Sequence, residues 1–73
     1  STMIDKQWLS ALKPLASSAT QWTAFTEMLD SHIAMQGKKL EQVSDPIEMY
    51  RAQGSIHSLR KLKQLKDEID ATR

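Results

Sequence analysis

Apolar residues recur along most of this chain at spacings of three and four, which is the pattern of amphipathic helices. The clearest run consists of Trp22, Phe25, Leu29, Ile33, Leu40 and Val43. At about 100° per residue these six positions fall within roughly 80° of arc and form one continuous stripe. Ser18 and Thr20 are both suitable N-caps just before the run. The pattern therefore predicts a helix over residues 19–43.

A second long helix is predicted over residues 46–71. Asp45 is a suitable N-cap, Pro46 fits the first helical position, and Glu48 stands where a capping box places its acidic residue. The apolar positions of this helix are Met49, Ala52, Ile56, Leu59, Leu62, Leu65 and Ile69. After residue 59 they recur every third residue, and each such step rotates the stripe by about 60°. We therefore expect a broader apolar face towards the C-terminal end.

The short segment of residues 44–46 separates these two helices and predicts that they fold back on each other antiparallel. Positions whose numbers sum to about 91 then lie level, which sets Trp22 near Ile69. The same register sets Gly37 level with Gly54, the only two glycines of the chain. A glycine inside a helix costs about 1 kcal/mol relative to alanine. Either backbones approach closely at this layer, or Gly37 ends the helix.

A short N-terminal helix is predicted over residues 3–13, because Ile4, Trp8, Leu12 and Leu15 follow one another at helical spacing. Pro14 should end or kink this helix, and residues 16–19 should form a loop. The predicted fold is all-α, a single small domain over residues 1–73. It consists of a long antiparallel helical hairpin with the short N-terminal helix packed near its open end.

Chain length and the lack of cysteine favour self-association. The chain has 73 residues and no cysteine, so disulfides cannot stabilise it. A domain of this size buries only about 60% of the surface that its unfolded chain exposes. Small domains often gain stability from a partner subunit, and one hairpin covers only one side of each stripe. We therefore predict a homo-oligomer, a dimer or higher, that forms a helical bundle.

The candidate partner surface contains apolar residues at the ends and borders of the predicted core. Ala24, Met28 and Met35 form a weaker stripe roughly 110° from the main stripe of their helix, beyond the reach of a single antiparallel neighbour. Two exposed methionines are also ordinary on a small protein, so this stripe has a second interpretation. Trp and Tyr are common interface anchors. The candidate residues are Trp8, Leu12, Met28, Met35, Tyr50 and Leu65.

Charge does not favour nucleic acid as the main partner. Ten basic and nine acidic residues leave no strong long-range field. The alternative function, a small nucleic-acid-binding or regulatory protein, depends on phosphate contacts from Arg60, Lys61, Lys63 and Lys66. These cations are followed at once by acidic residues, so Lys63 with Asp67 and Lys66 with Asp70 can form ion pairs four residues apart. A solvated, salt-bridged face is the preferred interpretation.

No pattern in the sequence indicates an enzyme, a metal site or a cofactor. His32 and His57 could lie within one turn of each other in the predicted register, but a catalytic zinc normally has three protein ligands. The longest uncharged stretch, residues 14–26, is rich in Ser, Thr and Ala and shorter than the about 20 apolar residues of a membrane span. No signal-peptide pattern is present. We therefore expect a non-enzymatic cytoplasmic protein with no membrane partner and no catalytic or cofactor-binding residues.

One run of residues resembles a known class of proteins. Residues 53–62 read Q-G-x-I-x-x-L-R-x-L, and they follow a Trp-containing helix and a Ser-Asp-Pro turn. Over residues 22–65 this arrangement resembles short helical-hairpin accessory and virion-assembly proteins of tailed phages. The resemblance implies a small assembly protein that binds other proteins, in the host cytoplasm or in the virion.

Overall fold

The computed structural model describes residues 5–71, and within that range about 90% of the residues are helical and none forms a strand. The helices are α1 (Lys6–Ala11), α2 (Lys13–Ser17), α3 (Ala19–Gln42), α4 (Pro46–Lys63) and α5 (Leu65–Ala71). The predicted all-α class is therefore confirmed. Residues 3 and 4 of the first predicted helix lie outside the described residues.

Side-chain caps begin both long helices at the predicted positions. The Ser18 hydroxyl accepts a hydrogen bond from the Gln21 N–H at 3.3 Å, so Ser18 rather than Thr20 is the cap of α3. The Asp45 carboxylate accepts from the Ile47 N–H, also at 3.3 Å, and Pro46 opens α4. Each cap satisfies a backbone donor that has no partner inside the helix. The two helices therefore start where local side-chain chemistry predicts.

Glu48 does not play the part predicted for it in a capping box. Its carboxylate accepts from the Arg51 guanidinium at 3.0 Å, one turn further along α4. Glu48 still lies in the first turn of α4, where a negative charge suits the helix dipole. The Asp45 cap therefore acts without a reciprocal bond from this ion-paired carboxylate.

Helix α3 packs against α4 along their length. Lys63 Nζ lies 2.6 Å from Asp30 Oδ1, and these two numbers sum to 93, close to the predicted 91. Of the apolar stripes on these two helices, only Leu29 and Ala52 are fully buried. The remaining stripe residues of the pair are half-buried: Trp22, Phe25, Ile33, Leu40, Val43, Met49, Ile56, Leu59 and Leu62. One neighbour thus covers only part of each stripe.

The predicted helix over residues 46–71 is interrupted, so that prediction was wrong at Gln64. This residue forms a turn, and its N–H donates to the carbonyls of Lys61 and Leu62. The interruption follows the run in which apolar residues recur every third position, a spacing that a straight α-helix cannot keep on one face. After the turn, Leu65 and Ile69 lie four residues apart and both are buried.

The N-terminal segment also differs from its prediction. The break falls at Leu12, and Pro14 lies in the first turn of α2, where its missing N–H costs nothing. Ala16, predicted to lie in a loop, is helical and buried, and Ser18 alone separates α2 from α3. Leu9 is the buried residue of α1, whereas Trp8 is 57% exposed. The apolar face of this segment was therefore assigned to the wrong residues.

One hydrophobic cluster joins the two terminal parts of the described chain. It contains Leu9, Ala16, Leu65 and Ile69, with Leu12 and Trp22 packed against it. The predicted proximity of Trp22 and Ile69 is thus confirmed. The Trp22 ring lies 5.3 Å from the Phe25 ring, centre to centre, at a tilt of 49°. Helices α1, α2 and α5 therefore close the end of the α3–α4 pair that lies opposite the 43–45 turn.

Both interpretations offered for the glycines are wrong within the chain. Gly37 and Gly54 lie inside α3 and α4, and neither has a positive φ. A Cβ atom at either position would meet nothing within 4 Å. Gly37 therefore does not end its helix, and no backbone or side chain of the same chain approaches either glycine closely.

The helices form a thin layer. The principal extents are 45 × 28 × 13 Å and the Cα radius of gyration is 14.6 Å. A compact domain of this length has a radius of gyration of about 11 Å. Both faces of the α3–α4 pair are consequently wide and shallow.

Candidate protein-binding surface

Large apolar side chains at solvent-accessible positions are the first candidates for a binding surface. Those most exposed among the described residues are Trp8, Met28, Met35, Ile47 and Tyr50. Four of them were predicted to lie on the partner surface, and Ile47 was not. Ile47 follows Pro46 directly and lies out of phase with the stripe of α4, so the stripe itself could have signalled its exposure.

An open groove of about 820 Å³ runs between α3 and α4. Its lining residues are His32, Gln36, Arg51, Gly54, Ser55, Ser58 and Leu59. We call it the Gly54 groove. Because the space around a Cβ at Gly54 is empty to 4 Å, the missing side chain deepens the groove rather than admitting a neighbouring helix.

The exposed methionines lie on the same side of the layer as the Gly54 groove. At 100° per residue, Met28 and Met35 fall within about 60° of His32 around α3. Ile47 falls within about 40° of Arg51 around α4. We call this surface, the Gly54 groove with Met28, Met35 and Ile47, the groove face. Three large apolar side chains thus border one mostly polar but uncharged depression.

The other side of the layer is different in character. It carries a smaller depression of about 300 Å³, lined by Leu40, Gln53, Ile56, His57 and Arg60. Residues 53, 57 and 60 point about 160° away from residues 51, 55 and 58 around α4. The charges of α3 that lie more than about 100° from His32 are Glu27, Asp30, Lys38 and Glu41. We call this side the charged face.

Charges are fewer on the groove face. Arg51 lines the Gly54 groove, but its guanidinium is 3.0 Å from Glu48, so the pair is neutral as a unit. Lys39 lies near the 43–45 turn, within about 20° of His32. No lining residue of the groove other than Arg51 carries a permanent charge. The groove face is therefore the more apolar of the two broad surfaces.

The predicted partner residues do not form one surface. Met28 and Met35 lie on the groove face, Tyr50 is the most exposed of the set, and Trp8 lies on α1 at the far end of the layer. Leu12 is half-buried against the hydrophobic cluster. Leu65 is 5% exposed, because the turn at Gln64 directs it into that cluster, so its placement on an exposed border was wrong.

The four cations of the nucleic-acid alternative are dispersed. Lys63 pairs with Asp30 of α3 rather than with Asp67, because the turn at Gln64 separates residues 63 and 67 into different helices. Lys66 pairs with Asp70 at 2.8 Å, as predicted. Arg60 lines the depression of the charged face, and Lys61 is exposed. Two of the four charges are thus offset by carboxylates.

The two histidines do not share a site. His32 lines the Gly54 groove, whereas His57 lines the depression on the charged face. Among residues 5–71, no group of three or more His, Cys, Asp or Glu side chains is arranged to hold a metal ion. None of the helices in the described part of the chain is both long and apolar enough to cross a membrane.

Comparison of the chain with protein-family models, with curated proteins and with solved structures yields no match.

Proposed function

We propose that this chain is a non-enzymatic structural or protein-binding component that acts as a homo-oligomer, with α3 and α4 of each copy forming the helical hairpin of a shared bundle. Its surface area carries the proposal. The accessible surface is 5,488 Å². A compact monomer of 8.3 kDa exposes about 4,600 Å². The difference, roughly 900 Å², is close to the about 800 Å² that each partner loses in a standard interface.

The half-buried stripes give the same proposal a structural basis. Nine apolar residues of α3 and α4 remain partly accessible although they lie on the faces turned towards each other. In a four-helix arrangement a second pair of helices covers these faces from outside the layer. Burial of apolar area is the main favourable term in such an association. Oligomerisation would therefore complete a core that one copy leaves open.

Sedimentation velocity across a hundredfold range of protein concentration, at two salt concentrations, tests the proposal directly. We expect a dimer or a larger closed oligomer at both salts, because apolar association responds little to ionic strength. A chain that sediments as a monomer at every concentration would overturn the proposal. An association that disappears between about 50 and 200 mM salt would point instead to charge-driven contacts.

We extend the proposal to assembly with a further protein, the role that the resemblance to tailed-phage accessory proteins implies. Trp8 and Tyr50 support this extension, because both are exposed aromatic side chains outside the groove face. Aromatic residues of this kind are common anchors at protein interfaces. Substitution of Trp8 by Ala should leave self-association intact, as sedimentation would show, while it weakens capture of that further protein.

A further inference from the structure

We infer that the groove face is the surface on which a second copy of this chain docks, in a twofold arrangement that sets the Gly54 grooves of the two copies opposite each other. The inference rests on the proposed self-association and adds the face that mediates it. It makes the groove face, rather than the charged face or the exposed aromatic residues, the interface.

The area argument requires a broad face. The layer measures 45 × 28 Å across and only 13 Å through. An interface that removes about 800 Å² from each copy needs a large part of one broad side. The edges of a layer 13 Å thick are too narrow to provide this area. The candidate interfaces are therefore the groove face and the charged face.

Charge decides between these two faces. A twofold interface brings the same patch of both copies together, so uncompensated charges in its centre meet their own kind. The α3 side of the charged face carries Glu27, Asp30 and Glu41, and only Asp30 has an ion pair within the described chain, with Lys63. On the groove face, the central Arg51 is already paired with Glu48. Self-association is consequently less costly on the groove face.

The shapes of the side chains also suit this surface to a copy of itself. Met28 and Met35 are seven residues apart, so they project from α3 in nearly the same direction, as in a heptad seam. Methionine is flexible and fills irregular gaps well. The empty space at Gly54 provides such a gap beside α4. In the twofold complex, the methionine ridge of each copy therefore lies against the Gly54 groove of its partner.

A pair of adjacent substitutions tests the choice of face. Met35→Glu places a charge on the groove face, whereas Ala34→Glu places the same charge about 160° from His32, on the charged face. Both positions are exposed and helical, so the folding cost of each should be small. We expect Met35→Glu to raise the dissociation constant at least tenfold in sedimentation velocity. Ala34→Glu should change it less than threefold, and circular dichroism should show equal helix content.

Thiol labelling gives a second measurement that does not depend on disrupting the interface. The chain has no cysteine, so a single introduced cysteine is a unique reporter. Ser58→Cys lies in the Gly54 groove and Gln53→Cys in the depression of the charged face. When protein concentration rises through the association range, labelling of the cysteine at position 58 should slow several-fold. Labelling at position 53 should keep its rate.

The outcomes separate the face assignment from self-association itself. If the wild-type chain associates but position 53 rather than position 58 becomes protected, the interface is on the charged face and this inference is overturned. The same conclusion follows if Met35→Glu associates as tightly as Ala34→Glu. A wild-type chain that remains monomeric overturns both this inference and the proposed function.

Discussion

The two ends of the helical layer bury the same kind of residue to very different extents. At the closed end, where α1, α2 and α5 join the α3–α4 pair, Ile69 is 1% exposed. At the turn end, beside residues 43–45, Ile47 is 59% exposed. Both are isoleucines on helices, so side-chain hydrophobicity does not explain the difference. The number of neighbouring helices does, and the turn end lacks the additional helices that cover the closed end.

The largest expected effect contrasts these two isoleucines through the same substitution. Ile69→Ala removes buried methyl groups from the cluster and should lower the free energy of unfolding by about 2–5 kcal/mol. Ile47→Ala should change it by less than about 0.5 kcal/mol, because its side chain is already exposed. Chemical denaturation at one low protein concentration measures both. Equal losses would mean that the two ends are equally well packed.

Loss of the helix caps compares the two ends at their backbone. Asp45→Ala removes the cap at the turn end and should cost about 1 kcal/mol, since the Ile47 N–H loses its acceptor. Ser18→Ala removes the corresponding cap at the closed end, where packing of α2 against α3 also holds the helix start. Thermal unfolding monitored by circular dichroism should show the smaller loss for Ser18→Ala. The reverse order would contradict a better supported closed end.

The two glycines sharpen the comparison in the opposite direction. Gly37→Ala and Gly54→Ala should each stabilise the chain by up to about 1 kcal/mol, because both residues are helical and a Cβ meets no neighbour. Denaturation of both variants measures this gain. Gly54→Ala should in addition weaken self-association, whereas Gly37→Ala should not. A destabilised Gly37→Ala variant would mean that this part of α3 is not a continuous helix.

The smallest expected effect concerns the ion pair between α3 and α4. Lys63→Gln removes the contact with Asp30 and should cost less than about 1 kcal/mol, because both side chains are substantially solvent-exposed. Lys66→Gln, which removes a pair within α5, is the matched control. A double-mutant cycle of Lys63→Gln with Asp30→Asn, repeated at high salt, isolates the pair. A coupling above 2 kcal/mol would indicate that this bridge, rather than apolar contact, holds the pair of helices together.

Sequence reasoning located the features that short-range chemistry determines. The caps at Ser18 and Asp45 and the bounds of α3 depend on residues within one turn of each helix end, and they were predicted to within a residue. The antiparallel register was close as well, since it depends on the position of the turn. The apolar stripe of α3 identified the correct face, with Leu29 at its buried centre.

The breaks at Leu12 and Gln64 could not be read from the sequence in the same way. Neither residue is a helix breaker, and the surrounding residues favour helix. These turns orient Leu9 and Leu65 into a cluster whose members are more than fifty residues apart in sequence, so tertiary packing decides them. The groove face was missed for a related reason, because it combines residues from two helices and includes the absent side chain of Gly54.

The hydrophobic cluster also sets an order for folding. Contacts between α3 and α4 near residues 43–45 close short loops, whereas contact between Leu9 and Ile69 closes a loop of almost the whole described chain. The entropy lost on loop closure grows with loop length, so the turn end can form first and the cluster last. The part of the molecule that buries the least apolar surface is therefore the part whose native contacts are available earliest. During synthesis on a ribosome, that half would wait for α5 before it gained the support of the closed end.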